Sequence, residues 1–351
     1  MKLHIFNPEH DIALASNMEQ FTAPHAGRQL RSDLGFIPAL WAEEGDFVLV
    51  DDIDQAEDKL RHLSKYRKQQ VNVEFITKAQ LRYQQENNAE FDVINSTFMP
   101  WGWDRAIAHQ LGILKSNFYI LHLDEIRRIS SRQWAAEHLQ HDVDYVEDVN
   151  VLMAKVAERR RCVLKSPWSS SGRGVKFIDL DNQPLDERWA ASIIKKQGGV
   201  MLEPYYKKVK DFGMEFIAKS DGTIEYLGLS LFHTVKGAYS GNVLANEEMK
   251  ESMLSNYIVL EEVEAMRKRI LQVMEPALKG IYQGPFGVDL MVVDNHLEIA
   301  ELNLRRTMGH VALSISPEAS SPVSVMHVEY DGSRYHLRVN QTLVNAESLE
   351  I

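Results

Sequence analysis

Residues 284–310 contain the feature that most constrains the fold, a pair of apolar runs that carry acidic side chains. The runs, residues 286–293 and 297–303, are rich in β-branched and apolar residues and flank Asp294-Asn295. This pattern predicts two strands joined by a tight turn. Because side chains alternate along a strand, each run has one face that carries acidic groups. The predicted faces are Gly287, Asp289 and Met291 in the first strand, and Leu297, Ile299, Glu301 and Asn303 in the second.

The length of the turn decides whether the two carboxylates meet. A loop over residues 294–296 pairs Val293 with Leu297 and places Asp289 opposite Glu301. A loop shorter by one residue shifts the register and places the carboxylates on opposite faces. We expect them to share one face, which requires the longer loop.

Two carboxylates and an amide on a mostly apolar hairpin are costly unless something neutralises them. A hard cation does so with oxygen ligands alone, and Mg²⁺ uses one or two carboxylates together with nucleotide phosphates. Arg305 and Arg306 follow directly and would hold anionic oxygens near the metal. The alternative is a hairpin whose acids face water, which the apolar flanks disfavour.

A loop rich in serine and glycine follows an apolar strand at residues 162–165. Its backbone N–H groups, around Ser171 and Gly172, can approach a triphosphate, while Lys165 and Arg173 supply positive charge. It is not a P-loop, because it has no Gly-Lys-Ser/Thr and a strand follows it. Taken alone, the segment also fits an ordinary connecting loop.

Within residues 200–206, the pattern predicts an apolar strand that ends in Glu203-Pro204 and connects two subdomains. A purine lying on such a strand would donate its amino group to Glu203 or to a backbone carbonyl. Asp211 could accept from ribose hydroxyls. The alternative is an edge strand with a solvated acid.

The N-terminal part alternates β-rich runs with helical patterns. The runs are residues 3–6, 47–50, 71–76 and 91–95, and the helical patterns include residues 55–68 and 78–87. This alternation predicts βαβ units and a parallel sheet, without the G-x-G-x-x-G of dinucleotide-binding folds. Ligands bind beyond the carboxyl ends of such strands. Asn7, Glu9, His10 and Asp11, which follow the first strand, are therefore candidate contacts, with turn chemistry as the alternative.

Composition limits the remaining possibilities. The 351 residues allow two or three domains, and the net charge of −11 argues against a nucleic-acid partner. The single cysteine, Cys162, cannot form an internal disulfide. No window approaches a membrane span and the N-terminus begins a strand, so we expect a cytoplasmic protein with no membrane partner.

Three motifs in this order resemble the ATP-grasp superfamily: Lys165 with its Ser/Gly loop, the strand ending at Glu203, and Asp289 with Glu301-x-Asn303. The resemblance covers residues 125–320 and implies two α+β subdomains that clamp ATP between them. The expected fold is thus an N-terminal α/β parallel-sheet domain, similar to the one that precedes this fold, followed by the ATP-grasp subdomains. Expected boundaries are 1–124 for the first domain, 125–200 and 201–320 for the subdomains, and 321–351 for a C-terminal β-hairpin tail.

The resemblance also implies ligand contacts. Lys165 would contact phosphate and adenine, and Asp211 the ribose. Arg132, after Ser131, stands where the family usually has a lysine on the α-phosphate. The adenine contacts would be Glu203, Pro204 and Tyr206, and the phosphate loop would include Ser171 and Gly172. The ligands of Mg²⁺, with Mn²⁺ as the alternative metal, would be Asp289, Glu301 and Asn303.

The implied activity is ligation of a small carboxylate to an amine or thiol acceptor through an acylphosphate, with ADP and phosphate as products. A kinase-like enzyme and an inactive nucleotide-binding module are the alternatives on the same fold. The loop at residues 232–242 could close over substrate or form a plain surface hairpin. A homodimer is compatible with the sequence. The expected catalytic residues are Arg173, Arg305 and Lys236, and the expected substrate contacts are Asn7, His10, Asp11, His233 and Arg306.

Overall fold

The N-terminal part of the chain forms an open parallel sheet. The computed structural model describes residues 1–67, 71–87, 98–113, 115–169, 174–182, 187–235, 238–315 and 323–341. The sheet contains β1 (Leu3–Ile5), β2 (Phe47–Val50), β3 (Glu74–Thr77) and β4 (Phe98–Pro100). The strand order is β3-β2-β1-β4, and every pairing is parallel. The predicted run at residues 91–95 lies outside the described residues, so β4 is the fourth strand of the described sheet.

Helices connect and cover these strands. They are α1 (His10–Ser16), α2 (His25–Leu34), α3 (Ile53–Leu63), α4 (Lys78–Asn87), α5 (Arg105–Gln110), α6 (Phe118–Leu121) and α7 (Leu123–Ile129), with 3-10 turns at Ile37–Leu40 and Ser64–Tyr66. Aspartates begin two of them, because Asp52 accepts from the N–H of Gln55 and Asp104 accepts from that of Ile107. The helices predicted at residues 55–68 and 78–87 correspond to α3 and α4.

The second unit is a small α+β subdomain. It contains α8 (Arg132–His138), β5 (Asp144–Val146), α9 (Val149–Arg159), β6 (Arg161–Lys165), β7 (Val175–Asp179), α10 (Glu187–Gln197) and β8 (Val200–Pro204). The sheet order is β5-β8-β6-β7, with antiparallel pairing throughout. Apolar side chains of α9 and α10, including Leu152, Val156 and Ala190, pack on this sheet and form a separate core.

The third unit contains two antiparallel sheets. Its elements are β9 (Lys208–Ala218), β10 (Ile224–Ser230), β11 (Phe232–Val235), β12 (Ala238–Leu244), α11 (Glu247–Leu254), α12 (Leu260–Leu278), β13 (Gly284–Val293), β14 (His296–Asn303), α13 (Met308–Ile315), β15 (Ser324–Tyr330) and β16 (Tyr335–Gln341). The sheet orders are β10-β9-β13-β14 and β11-β12-β15-β16. The C-terminal hairpin therefore pairs through β15 with β12.

The predicted fold class is confirmed: a parallel α/β sheet precedes two α+β units with antiparallel sheets. The domain boundaries stay a prediction. One apolar core joins the N-terminal sheet to the β9–β14 sheet, since Leu3 and Phe98 belong to the same cluster as Phe212 and Phe286. Within the described ranges, no helix combines the length and apolarity needed to cross a membrane.

The centre of this core gives a direct test of the packing. Phe286 is fully buried, and its ring stacks on that of Phe216 with centroids 5.1 Å apart. Phe286→Ala should lower the free energy of unfolding by about 3–5 kcal/mol, measured by denaturant titration. Phe177→Ala is the control, because that side chain is 69% exposed and its loss should change stability by less than about 0.5 kcal/mol. Equal losses in the two variants would contradict this packing.

Candidate active site

The hairpin of β13 and β14 turns more tightly than the sequence prediction assumed. Val293 pairs with His296, which leaves a loop of Asp294 and Asn295 alone. Both loop residues have positive φ, 43° and 66°, as such a short hairpin turn requires. The predicted longer loop is therefore wrong, and by register alone the two carboxylates would lie on opposite faces.

A β-bulge in β14 brings the carboxylates back together. Leu290 pairs with Ile299 and Asp289 pairs with Glu301, so Ala300 is an extra residue on one strand. Asp289 thus lies opposite Glu301 as predicted, for a different reason. The predicted common face for Ile299 and Glu301 is wrong: Leu297 and Ile299 are buried in the core, while Glu301 is only partly buried.

The surroundings of Asp289 disfavour ionisation of its carboxyl group. Burial, followed by the negative charges of Glu301 and Glu215, raises its pKa to about 8. The Asn303 amide offsets part of this by donating from Nδ2 to Oδ2 of Asp289 at 3.1 Å. A bound cation would favour the carboxylate here, because it would neutralise the repulsion between the acids.

Arg132 contacts the β13–β14 hairpin from the neighbouring subdomain. Arg132 is 6% exposed, and its guanidinium donates from Nη2 to Oε1 of Glu301 at 2.5 Å. Nη1 donates to the Ser166 carbonyl and to Oγ of Ser169, both at 2.7 Å, so Arg132 also holds the start of the Ser/Gly loop. Its Nε is buried and has no hydrogen-bond partner in the described part of the chain. The predicted phosphate contact and the predicted metal ligand are therefore paired with each other.

Lys165 joins the other two motifs. Its Nζ lies 2.6 Å from Oε2 of Glu203 and donates to the carbonyl of Ala300, the bulge residue, at 3.3 Å. Glu203 is 3% exposed, and its second oxygen, Oε1, has no partner among the described residues. The strand-end lysine, the hinge glutamate and the hairpin thus meet at one place between the subdomains.

Arg305 connects the hairpin to the N-terminal domain. It donates to both oxygens of Asp11, from Nε at 2.9 Å and from Nη2 at 2.8 Å. Nη2 also donates to Oδ1 of Asn303 at 2.9 Å. Burial alone would raise the pKa of Asp11, but the charge and hydrogen bonds of Arg305 lower it. The fork geometry of this pair fixes the guanidinium next to the predicted metal ligands.

The remaining hinge residues lie on the second and third units. Pro204 ends β8, and Tyr206 follows it, with burial as the main cause that raises the pKa of its hydroxyl to about 12. Asp211, on β9, is paired with Lys208. It is next to Met291 in the sheet and so shares the face of Asp289. Its predicted contact with ribose stays a prediction.

The predicted substrate residues separate into different surroundings. Asn7 donates to the carbonyl of Gly102 at 2.9 Å, and Nδ1 of His10 lies 3.1 Å from Asp104, with both side chains buried. Arg306 places its guanidinium 4.2 Å from the ring of Trp41. His233 is partly buried on β11.

Four predicted residues, Ser171, Gly172, Arg173 and Lys236, lie outside the described residues. Their contacts with phosphate or substrate stay predictions.

Glu215 is a site residue that the sequence interpretation missed. It lies on β9 opposite Gly287, on the face of Asp289, and is 2% exposed. Its Oε2 is 2.9 Å from Nδ1 of His310, but that nitrogen accepts the N–H of Thr307, so Oε2 makes no hydrogen bond to any described residue. The available signal was a lone glutamate in an apolar strand, two residues from Gly213 and four from Asp211.

The oxygen donors fit a hard cation that would take its remaining ligands from a bound nucleotide. No group of three or more His, Cys, Asp or Glu side chains able to hold a metal occurs in the residues that the structure describes. Asp289 and Glu301 supply carboxylate oxygens on one face, and phosphate oxygens would complete the shell, which is the usual arrangement for Mg²⁺. The raised pKa of Asp289 agrees with a site that gains stability from positive charge.

Comparisons with known proteins place the chain beside several solved structures. No protein-family model and no curated protein matches it. The solved structure of N5-carboxyaminoimidazole synthetase from Staphylococcus aureus is 12% identical, with a TM-score of 0.48 over 93% of this chain and 82% of that chain. Biotin carboxylase from Campylobacter jejuni is 13% identical, with a TM-score of 0.48 over 93% and 75%.

A third solved structure, carboxyaminoimidazole ribonucleotide synthase from Aspergillus clavatus complexed with ATP, is 12% identical. Its TM-score is 0.47 over 77% of this chain and 79% of that one. Likeness at this level does not transfer an activity to this chain.

The raised pKa of Asp289 predicts how stability depends on pH when no metal is bound. The group has a pKa of about 8 in the folded protein and an ordinary value of 3.8. The stability it contributes is therefore complete below pH 4 and is lost as pH rises towards 8. Relative to wild type, Asp289→Asn should become steadily more stable across this window, measured by denaturant unfolding at a series of pH values.

The matched control is Asp294→Asn in the exposed turn of the same hairpin. It should shift the free energy of unfolding by the same amount at every pH. Parallel pH curves for wild type and Asp289→Asn would contradict the buried, repelled carboxyl.

Proposed function

We propose that this protein is an ATP-grasp enzyme that ligates a small carboxylate to an amine or thiol and releases ADP and phosphate. The observation that carries the proposal is the position of Lys165, which contacts Glu203 of the hinge at 2.6 Å and the Ala300 carbonyl of the hairpin at 3.3 Å. Three motifs far apart in sequence therefore meet at one place between the subdomains. A cleft at a domain interface with convergent polar groups is a common kind of nucleotide site.

Adenine would lie on the hinge strand. Oε1 of Glu203 is a buried acceptor with no donor among the described residues, and an unmet buried acceptor costs about 1–3 kcal/mol. The amino group of adenine is a donor that can meet it. Guanine presents a carbonyl at that position, so the site should prefer ATP to GTP.

The phosphates would be held by cations that now pair with protein carboxylates. Lys165 is paired with Glu203, Arg132 with Glu301 and Arg305 with Asp11. Asp289 and Glu301 would hold Mg²⁺, with Mn²⁺ as a substitute, and Asn303 would support them. When bound, the metal would neutralise phosphate charge. With Glu301 engaged in this way, Arg132 would be free to donate to a phosphate oxygen.

The reaction then needs positioning and charge neutralisation and no covalent enzyme nucleophile. An oxygen of the substrate carboxylate attacks the γ-phosphorus, the bond to ADP breaks, and an acylphosphate forms. The lone pair of the amine or thiol then attacks the acyl carbon, phosphate leaves with the bonding electrons, and the proton lost by the amine or thiol passes to that phosphate. Lys165 and Arg305 would stabilise the charge that develops on the transferred group. His233, Arg306, Arg173 and Lys236 remain proposed substrate or catalytic contacts.

The first test of this function is product release. Screening small carboxylic acids with amines and thiols should find a pair that releases ADP and phosphate in equal amounts. Asp289→Asn should then reduce turnover by about 100-fold or more, because charge neutralisation at the transferred phosphoryl group is lost. Asp294→Asn, in the turn of the same hairpin, should keep wild-type turnover. Release of ADP without phosphate would indicate a kinase, and wild-type turnover in Asp289→Asn would rule out this metal site.

The second test separates a binding role of Lys165 from a structural one. Lys165→Met should leave the Glu203 carboxylate buried without its cation, which lowers stability by about 3–5 kcal/mol. The double variant Lys165→Met with Glu203→Gln should recover much of that stability and still bind ATP at least about tenfold more weakly by calorimetry.

Lys176→Met, an exposed lysine on β7, is the matched control for this experiment. It should leave both stability and ATP affinity unchanged. If the stable double variant binds ATP as wild type does, Lys165 is a structural residue and does not contact the nucleotide.

A further inference from the structure

A second cavity lies away from the proposed nucleotide site, at the carboxyl edge of the N-terminal parallel sheet. Its volume is about 340 Å³, which is within the range of small-molecule sites. In the order β3-β2-β1-β4, strand β1 has later strands on both sides, so the order in which strands join the sheet reverses there. Crevices at such a switch point are where open α/β sheets bind ligands.

The floor of the cavity contains an unpaired acceptor. Glu9 is 8% exposed, and its Oε1 accepts from Nη1 of Arg31 at 2.8 Å. Its Oε2 is buried and makes no hydrogen bond to any residue that the structure describes. The neighbouring polar residues do not supply a donor, because the Asn7 amide already donates to the Gly102 carbonyl and to Asp104. A buried carboxylate oxygen in this state favours a ligand that brings an N–H donor.

The exposed charged residues that line the cavity are two cations and one acid, Asp51, so the rim carries a net positive charge. Arg28 and Lys78 line the rim and are exposed. Arg28 donates from Nη1 to the Ala23 carbonyl at 3.0 Å. Burial, together with the positive charges of Arg82 and Arg31, lowers the pKa of Lys78, although Asp51 opposes this. An anionic group at the rim would relieve that repulsion.

Apolar residues line the cavity beside its polar ones, among them Ala13, Phe21, Leu49, Val50, Ala106 and Ile107. A ligand that reaches from the floor to the rim would therefore have a short apolar body. None of Lys165, Glu203, Asp289 and Glu301 lines this cavity.

We propose that this cavity binds a small zwitterion, with its amino group on Glu9 and its anionic group at Arg28 and Lys78. A ligand with a single charged group would match only one end of this cavity. An amine alone leaves the rim cations without an anionic partner, and an anion alone leaves Oε2 of Glu9 without a hydrogen-bond donor. The site does not depend on the proposed ligase activity, because its ligand contacts no residue of the nucleotide cleft.

The experiment is calorimetric titration of the full chain, without nucleotide, with the series glycine, β-alanine, γ-aminobutyrate and δ-aminovalerate. Each is compared with the amine and the acid of the same carbon length, such as butylamine and butyrate. At least one zwitterion should bind about tenfold or more tightly than either of its single-ended analogues, since each charged end adds a charge-assisted hydrogen bond. If no zwitterion exceeds its analogues, the proposal is wrong.

Two variants then assign the ends of the ligand. Glu9→Gln should weaken binding of the best zwitterion about tenfold and leave binding of its acid analogue unchanged. Lys78→Gln, at an exposed position that cannot disturb the core, should weaken the zwitterion and the acid but not the amine. Arg61→Gln, an exposed cation outside the cavity, is the control and should change nothing. Unchanged zwitterion affinity in Lys78→Gln would overturn the assignment even if Glu9→Gln proves unstable.

Discussion

The extra residue Ala300 in β14 is the local constraint on which the rest of the candidate active site depends. The two-residue turn of the hairpin would place Glu301 on the core face, opposite to Asp289. The bulge reverses the alternation, so the apolar residues before it face the core while Glu301 lies on the face of Asp289 and meets Arg132. Its carbonyl accepts from Lys165, and the carbonyl of Ile299 accepts from Gln140 at 2.7 Å. The exposed edge of the sheet is thereby covered by the neighbouring subdomain.

Charge organises the cleft around this hairpin. Burial of Asp289, together with the negative charges of Glu301 and Glu215, raises the pKa of its carboxyl group to about 8. The nearby cations are paired with carboxylates of other elements: Lys165 with the hinge, Arg132 with β14, and Arg305 with α1. In the complex, nucleotide phosphates would take the place of the carboxylates that pair with these cations. The metal would take the place of the cation that pairs with Glu301. Under the proposed function, the charges that would bind Mg-ATP are distributed on three units, which the ligand would draw together.

The sequence was sufficient to predict the secondary-structure elements and the order of the motifs. It was not sufficient where one inserted residue or a contact between distant residues determines the geometry of the site. The succession of strands and helices predicted the parallel sheet, and the two apolar runs predicted the hairpin. The two-residue period of a strand cannot detect a bulge, so the pairing of Asp289 with Glu301 was predicted from a wrong turn. The pair of Arg132 and Glu301 joins residues 169 positions apart, which no local pattern reveals. The residues after β1 were predicted only as candidate ligand contacts, and the sequence did not show that they separate. In the structure, Asn7 and Glu9 line the N-terminal cavity while Asp11 binds Arg305.

The most direct test of the account is a crystal structure of the protein with Mn²⁺ and a non-hydrolysable ATP analogue, with the metal located by its anomalous signal. The account predicts a metal about 2.0–2.3 Å from carboxylate oxygens of both Asp289 and Glu301. It also predicts adenine beside Glu203 and Arg132 released from Glu301. A nucleotide bound outside the cleft between the subdomains, or a metal that contacts neither carboxylate, would contradict it.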